Sequence, residues 1–261
     1  MSEETRESTI VSANERPPDG QCLICAKTTV PYLRPAFCGL EERWLESPSV
    51  CEVCEKKQEA QAKVLREQAL LDEAMKSSRL SLRFRQKSFE NFKPEAHTHK
   101  AFEAALRFEP KDEGLLLLGP CGVGKTHLAA AIANRQIGTV TTLFLSCPEF
   151  LLEMREGING RKKSQYHLFD LARQVKLLVL DDIGAERSSE WVQETLFVLL
   201  NYRYEELLPT IFTTNCSLDE LEAKLGERIS SRIVEMSRCI RIQGEDWRLK
   251  SRIQSLEECH D

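Results

Sequence analysis

The sequence predicts an α/β protein in which a parallel sheet is flanked by helices and preceded by a small cysteine-based module. Three observations carry that expectation. Beyond residue 113, apolar runs of strand length alternate with amphipathic runs of helix length, the pattern of parallel strands joined through crossover helices. A glycine-rich stretch, Gly119-Pro-Cys-Gly-Val-Gly-Lys-Thr126, stands at one of the strand-to-helix transitions. Of the ten cysteines, Cys22, Cys25, Cys38, Cys51 and Cys54 crowd together, whereas Cys121, Cys147, Cys216, Cys239 and Cys259 are scattered singly.

In chain order, residues 1–20 are polar, carry Pro17-Pro18 and Gly20, show no apolar period, and read as a disordered lead-in. Residues 21–55 hold two C-x-x-C pairs with Pro31, Pro35, Gly39 and Pro48 between them, too little chain to bury a core of its own. Residues 56–80 shift to Lys, Glu, Gln, Ala and Leu without Gly or Pro, as a mostly solvated helical linker would. Phe84, Phe89 and Phe92 then read as residues that dock the linker onto the following unit, with a place in a base pocket as the alternative for one of them.

The main unit is expected over 81–250, with a tail over 251–261. Its strands read at Gly114 to Leu118, Thr141 to Ser146, Leu177 to Leu180, Thr210 to Thr213 and Cys239 to Ile242. Helices read at about Glu95 to Arg107, after Gly124, at Glu149 to Arg155, Gln165 to Arg173, Ser189 to Glu206, and as one piece from Leu218 to Met236. His97 and His99, two apart in the first of these, face different ways and make a poor metal pair.

Composition excludes several classes. With 41% apolar and 30% charged residues, the chain is an ordinary globular one, neither disordered throughout nor fibrous. No apolar run approaches the roughly 18 residues of a membrane span, and the start lacks a signal-peptide pattern, so a cytoplasmic protein without membrane contact is expected. Disulfides are disfavoured there, which leaves metal binding or packing to explain the cysteines. The net charge of −5 is a whole-chain average: nine Lys/Arg against five Asp/Glu between Glu55 and Lys87 make that stretch +4.

The glycine-rich stretch fits the G-x-x-x-x-G-K-[ST] phosphate loop. Its backbone N–H groups and the positive end of the following helix would cradle phosphate oxygens. Lys125 would reach the β- and γ-phosphates of a nucleotide, and the Thr126 hydroxyl would ligate Mg²⁺. The nucleotide-binding set is thus Gly119, Pro120, Cys121, Gly122, Val123, Gly124, Lys125, Thr126 and His127. A second apolar run ends in Asp181-Asp182, where Asp181 would hold Mg²⁺ opposite Thr126 and Asp182 would orient the attacking water. Asp182 is shorter than the Glu many hydrolytic phosphate-loop enzymes place there, which implies slow turnover. A third run ends at Asn215, whose amide could sense the γ-phosphate.

Cys22, Cys25, Cys51 and Cys54 can put four thiolates around one ion, a donor set that suits Zn²⁺; free thiols and an iron–sulfur cluster are the alternatives. Cys38 is a fifth cysteine that such a site does not need. Basic residues in this stretch are few, Lys27, Arg34 and Arg43 against Glu41, Glu42, Glu46 and Glu52, favouring a protein partner over DNA.

The succession Gly-Pro-Cys-Gly-Val-Gly-Lys-Thr-His-Leu-Ala, Leu-Val-Leu-Asp-Asp-Ile-Gly, Leu-Asn-Tyr-Arg-Tyr-Glu, Pro-Thr-Ile-Phe-Thr-Thr-Asn and Leu-Gly-Glu-Arg-Ile-Ser-Ser-Arg-Ile, over roughly residues 80 to 250, resembles the AAA+ ATPases of the DnaC/DnaI helicase-loader and IstB transposition-helper group. The resemblance implies a five-stranded sheet with the Asn215 strand between the phosphate-loop strand and the Asp181 strand. It also implies ATP hydrolysis and self-association through an arginine finger, Arg232 first and Arg228 second, with Arg248 touching phosphate in cis. A zinc module ahead of the core implies engagement of the replicative hexameric helicase, with single-stranded DNA as a further partner and Arg161, Lys162 and Lys163 as candidate contacts. An IstB-like transposition helper, or a nucleotide-switched adaptor with little turnover, are the other readings.

Overall fold

The computed structural model describes residues 16–35, 43–111, 113–156, 162–247 and 249. Residues 1–15, Cys38, Arg161, Arg248, Cys259 and the 251–261 tail therefore lie outside the described residues. The chain forms two compact units that divide between Ala69 and Leu70.

In the first unit, β1 (Gly20–Gln21) pairs antiparallel with β2 (Thr28–Thr29), and β3 (Tyr32–Arg34) with β4 (Arg43–Leu45). Strands of two or three residues are too short to leave an alternating pattern, so the sequence does not reveal them. α1 (Glu52–Ser77) begins four residues before the expected start, with Glu52 and Glu55 in its first turn, where acidic groups meet the positive end of the helix dipole. Its last turns belong to the larger unit.

The larger unit continues with α2 (Leu82–Arg85) and α3 (His99–Arg107). The helix expected from Glu95 starts only at His99. The Thr98 hydroxyl accepts from the Glu95 N–H at 2.9 Å and closes a turn there that competes with helix. His97 accordingly lies in the turn and not in a helix.

The rest alternates: β5 (Gly114–Leu118), α4 (Lys125–Gln136), β6 (Thr142–Ser146), α5 (Cys147–Glu156), α6 (Lys162–Gln174), β7 (Leu177–Asp181), α7 (Glu190–Glu205), β8 (Thr210–Thr214), α8 (Leu218–Leu225), α9 (Glu227–Glu235) and β9 (Ser237–Arg241). Lys162 and Lys163, two of the candidate DNA contacts, open α6. The five long strands form one parallel sheet in the order β6-β7-β8-β5-β9, so β8 lies between β5 and β7 as the resemblance implies.

Both faces of this sheet are buried, which is why its strands read as continuous apolar runs. Leu116 and Leu118, Leu143 and Leu145, Leu178 and Leu180, and Phe212 pack on the face covered by α5 to α9. Leu115 and Leu117, Phe144, Leu177 and Val179, and Ile211 pack on the other, against α3, α4 and the Leu80 segment. Each fully buried side chain of this size contributes roughly 1.5–3 kcal/mol. Leu80 is among them, and Ser78 accepts from the Phe144 N–H at 2.8 Å, so the end of the expected linker is built into this core.

The single helix expected over 218–236 is two helices. Gly226, at φ +89°, ends α8 and starts α9, a left-handed turn that a residue with a Cβ resists. α8 itself starts on a capping box, in which Ser217 accepts from the Glu220 N–H at 3.2 Å and Glu220 from the Ser217 N–H at 2.7 Å.

Arg203, at the end of α7, is fully buried without an acidic partner. Its Nε donates to Thr210 Oγ1, one terminal nitrogen to the carbonyls of Ala172, Arg173 and Val175, and the other to Pro209 O, all at 2.8–3.1 Å. Three of those carbonyls sit at or just past the C-terminus of α6, where the helix dipole favours a cation. Among the described residues, no helix is long and apolar enough to cross a membrane.

Candidate functional site

Parallel register puts Leu118 beside Thr214 and Leu180 beside Phe212, so the segments leaving the C-terminal ends of β5, β7 and β8 emerge side by side. Ligand sites of open α/β sheets form at such ends. The phosphate loop runs from Gly119 into α4. Gly119 has φ +154°, and a Cβ there would collide with the Ile242 carbonyl, so glycine is required for the loop to pass the edge of the sheet.

Lys125, on the first turn of α4, is 5% exposed. Its Nζ donates to Gly119 O at 2.8 Å, Pro120 O at 2.7 Å and Asn215 Oδ1 at 2.7 Å. The Asn215 amide in turn donates to Asp182 Oδ1 at 3.4 Å, so it bridges the lysine and the second acid. Asp181 Oδ1 accepts from the Thr213 hydroxyl at 2.6 Å, and the Thr126 hydroxyl is near enough to favour the charged carboxylate. Burial pushes the Asp181 carboxyl up to about 6, helped by the charge of Asp182, while the two hydroxyls and the Lys125 ammonium pull the other way. Lys125, Thr126, Asp181, Asp182 and Asn215 are thus brought to one place.

Thr213 was not singled out in the sequence. Besides holding Asp181, its oxygen accepts the Asp182 N–H at 2.9 Å. Asp182 has φ +56°, uncommon for a residue with a side chain, and that bond fixes the turn. The signal was the pair of threonines that follows Ile211 and Phe212 at the end of the strand.

A cavity of about 550 Å³ opens beside the loop, walled by Asn91, Phe92, His97, Gly122, Val123, Gly124, His127 and Trp247. Phe92 stacks on Phe102 at 5.6 Å and meets the edge of His127 at 5.1 Å. His127 bonds Ser88 O through Nε2 at 2.9 Å, and burial lowers its pKa, favouring the neutral ring. Flat rings beside a phosphate loop suit a nucleobase. Phe84 instead packs on Phe144, and Phe89 on Phe102 beneath the Arg135 guanidinium.

Arg232 is not brought to this group. On α9 it lies over the Tyr204 ring at 4.0 Å and pairs with Glu235 at 3.3 Å, while the Tyr204 hydroxyl donates to the same carboxylate at 2.6 Å. Of the scattered cysteines, Cys147 and Cys216 are buried, whereas Cys121 and Cys239 are exposed, so packing does not account for those two.

In the first unit, the Sγ atoms of Cys22, Cys25, Cys51 and Cys54 all lie within 4.8 Å of one another. The first pair sits on the turn between β1 and β2, where Cys22 N–H donates to Lys27 O at 2.8 Å; the second opens α1. The Leu23 N–H to Ser49 O bond at 2.9 Å ties the two knuckles together. Backbone N–H groups of Cys51 and Cys25 pull the Cys22 thiol down to about 6, whereas Cys54, hydrogen-bonded to the thiols of Cys25 and Cys51, is pushed up to about 12. Four sulfurs this close cannot all ionise without a cation among them, and Zn²⁺ accepts a tetrahedron of thiolates. The residues fit that ion. Metal analysis of purified protein should give about one zinc per chain, falling severalfold in Cys51→Ser; an undiminished zinc content in that variant would remove the site.

A family model described as IstB-like ATP binding protein matches residues 51–255. The replicative helicase loader DnaI of Bacillus subtilis (strain 168) is 34% identical over 152 residues, covering 53% of this chain and 48% of DnaI. The insertion sequence IS232 putative ATP-binding protein of Bacillus thuringiensis subsp. berliner is 33% identical over 153 residues, covering 56% of this chain and 60% of that protein. The chain thus spans only about half to three-fifths of these relatives. Among solved structures, the crystal structure of the DnaC helicase loader superposes with a TM-score of 0.55 at 28% identity, over 62% of this chain and 99% of that one. The five-stranded parallel sheet flanked by helices is the AAA+ phosphate-loop fold.

Proposed function

The chain belongs to the IstB-like ATP-binding protein family, and from that membership we propose that it is a Mg²⁺-dependent ATPase acting as a loader of the replicative hexameric helicase. The observation that carries the ATPase reading is the meeting of Lys125, Thr126, Asp181, Asp182 and Asn215 at the ends of three adjacent strands. Lys125 would hold the β- and γ-phosphates, and the cavity beside Phe92 and His127 the base. Thr126 and Asp181 are the residues that would hold Mg²⁺, which when bound neutralises charge on the phosphate oxygens. Asp182 and Asn215 would orient the attacking water. Arg232 would act on the ATP of a neighbouring subunit, which makes self-association part of the proposal.

The loader reading rests on the four-cysteine module ahead of the core. Leu23 and Ile24, at the knuckle between Cys22 and Cys25, are 83% and 52% exposed, an apolar tip suited to a protein partner. Changing both to aspartate should weaken capture of the helicase at least tenfold while ATP affinity stays within about twofold of the unchanged protein. Undiminished capture would argue for another docking surface. A transposition-helper role stands as the second reading, because the insertion-sequence relative matches about as well as DnaI does. Co-purification with a transposase instead of the helicase, and stimulation by duplex rather than single-stranded DNA, would select it.

A further inference from the structure

One group of polar and titratable side chains is used by none of these roles. It lies beneath the turn that follows Asp182, and its centre is Gly184. The Gly184 carbonyl accepts from Lys224 Nζ at 2.6 Å, and the Gly184 N–H donates to both carboxylate oxygens of Glu186, at 3.2 and 3.1 Å. The Lys224 ammonium also lies 3.4 Å from Cys216 Sγ. Near Glu186 sits the thiol of Cys147, wholly buried, which burial and the neighbouring Glu186 charge push well above the usual thiol range.

Lys224 is held to the same turn through its backbone as well. Its carbonyl, in the last turn of α8, accepts from the Ser188 hydroxyl at 2.6 Å and from Gln193 Nε2 at 3.2 Å. The α8 C-terminus is thus clipped to the 184–193 stretch from both directions. The turn bearing Asp182 is in turn anchored on one side by Thr213 and on the other, two residues on, by Lys224.

We propose that Lys224 is a positioning residue for ATP hydrolysis: by gripping the Gly184 carbonyl it holds the Asp182 turn in the geometry that orients the attacking water. The inference rests on the ATPase reading given above. The left-handed backbone of Asp182 makes such an anchor necessary, because a side chain in that conformation relaxes when its surroundings permit. Misplacing a reacting group by about an ångström is enough to cost up to a hundredfold in rate. Lys224 is exposed although Gly184 is buried, and the Cys216 thiol, 3.5 Å from the Gly184 carbonyl, remains as its partner when the lysine is removed.

Lys224→Met and Lys224→Arg, measured beside the unchanged full-length protein, test this. The methionine variant should lose about tenfold in kcat with KM for ATP and melting temperature nearly unchanged. Arginine, which can still donate to Gly184 O, should restore most of the rate. A methionine variant with full kcat would overturn the inference, as would one in which rate, ATP affinity and melting temperature fall together, the mark of a merely structural role. If the unchanged protein shows no turnover while binding ATP, the ATPase reading itself fails and this inference with it.

Discussion

Replacing Arg203 with methionine should destabilise the ATP-binding unit by about 3–5 kcal/mol, the largest single-residue effect expected in this protein. The guanidinium is fully buried, and burial lowers its pKa to about 9, so keeping it charged there is already costly. What offsets the cost is geometry: all of its nitrogens donate, and the acceptors are mostly backbone carbonyls that stay behind when the side chain is removed. Methionine fills part of the volume but donates to none of those oxygens, of which Pro209 O keeps the Leu178 N–H while the carbonyls of Ala172, Arg173 and Val175 lose the guanidinium. Lysine should be nearly as harmful, because an ammonium has three donors where the site takes five bonds. Denaturant melts of the full chain would measure the loss. A change below about 1 kcal/mol would mean that the carbonyls of Ala172, Arg173, Val175 and Pro209 find other partners.

Asp181→Asn should have two opposed effects. Hydrolysis should fall at least a hundredfold, since the amide cannot replace a carboxylate as a partner for Mg²⁺. Stability, in contrast, should rise at neutral pH. The Asp181 carboxyl is held at about 6 in the folded chain against 3.8 as the ordinary value, so the folded state disfavours its ionised form. Below about pH 3 the group is protonated whether folded or not and the penalty is absent; it grows as pH rises from about 4 to 6 and is complete above that. Asparagine removes a cost on the order of 3 kcal/mol at pH 7.5 and almost nothing at pH 3. It can also keep accepting from the Thr213 hydroxyl. Thermal melts without Mg²⁺ at the two pH values would check the sign, and a variant less stable than the parent at pH 7.5 would contradict it.

Much of the fold was legible because its strands are buried on both faces, and Leu115–Leu118 or Leu177–Leu180 cannot be mistaken for solvated helix. The phosphate loop was legible because glycines, lysine and threonine stand at fixed offsets, and the cysteine pairs because each is a local knuckle. The break at Gly226 was not, since a lone glycine in a helical period is often tolerated. Nor were Arg203 and Lys224: on a helix each looks like an ordinary solvated cation, and what distinguishes them is the carbonyls that the fold delivers from elsewhere in the chain. Thr213 escaped notice for the same reason, its two partners being contributed by a different strand.

The bridge from Lys125 through Asn215 to Asp182 bears on kinetics. Three donors of the lysine already point at protein oxygens, so a phosphate arriving in the loop enters by exchange, displacing Asn215 or a loop carbonyl rather than joining an uncommitted cation. Binding and release of a γ-phosphate would then toggle the amide of a single strand-end residue between two partners. The tip of β8 would become a relay whose state follows that of the nucleotide.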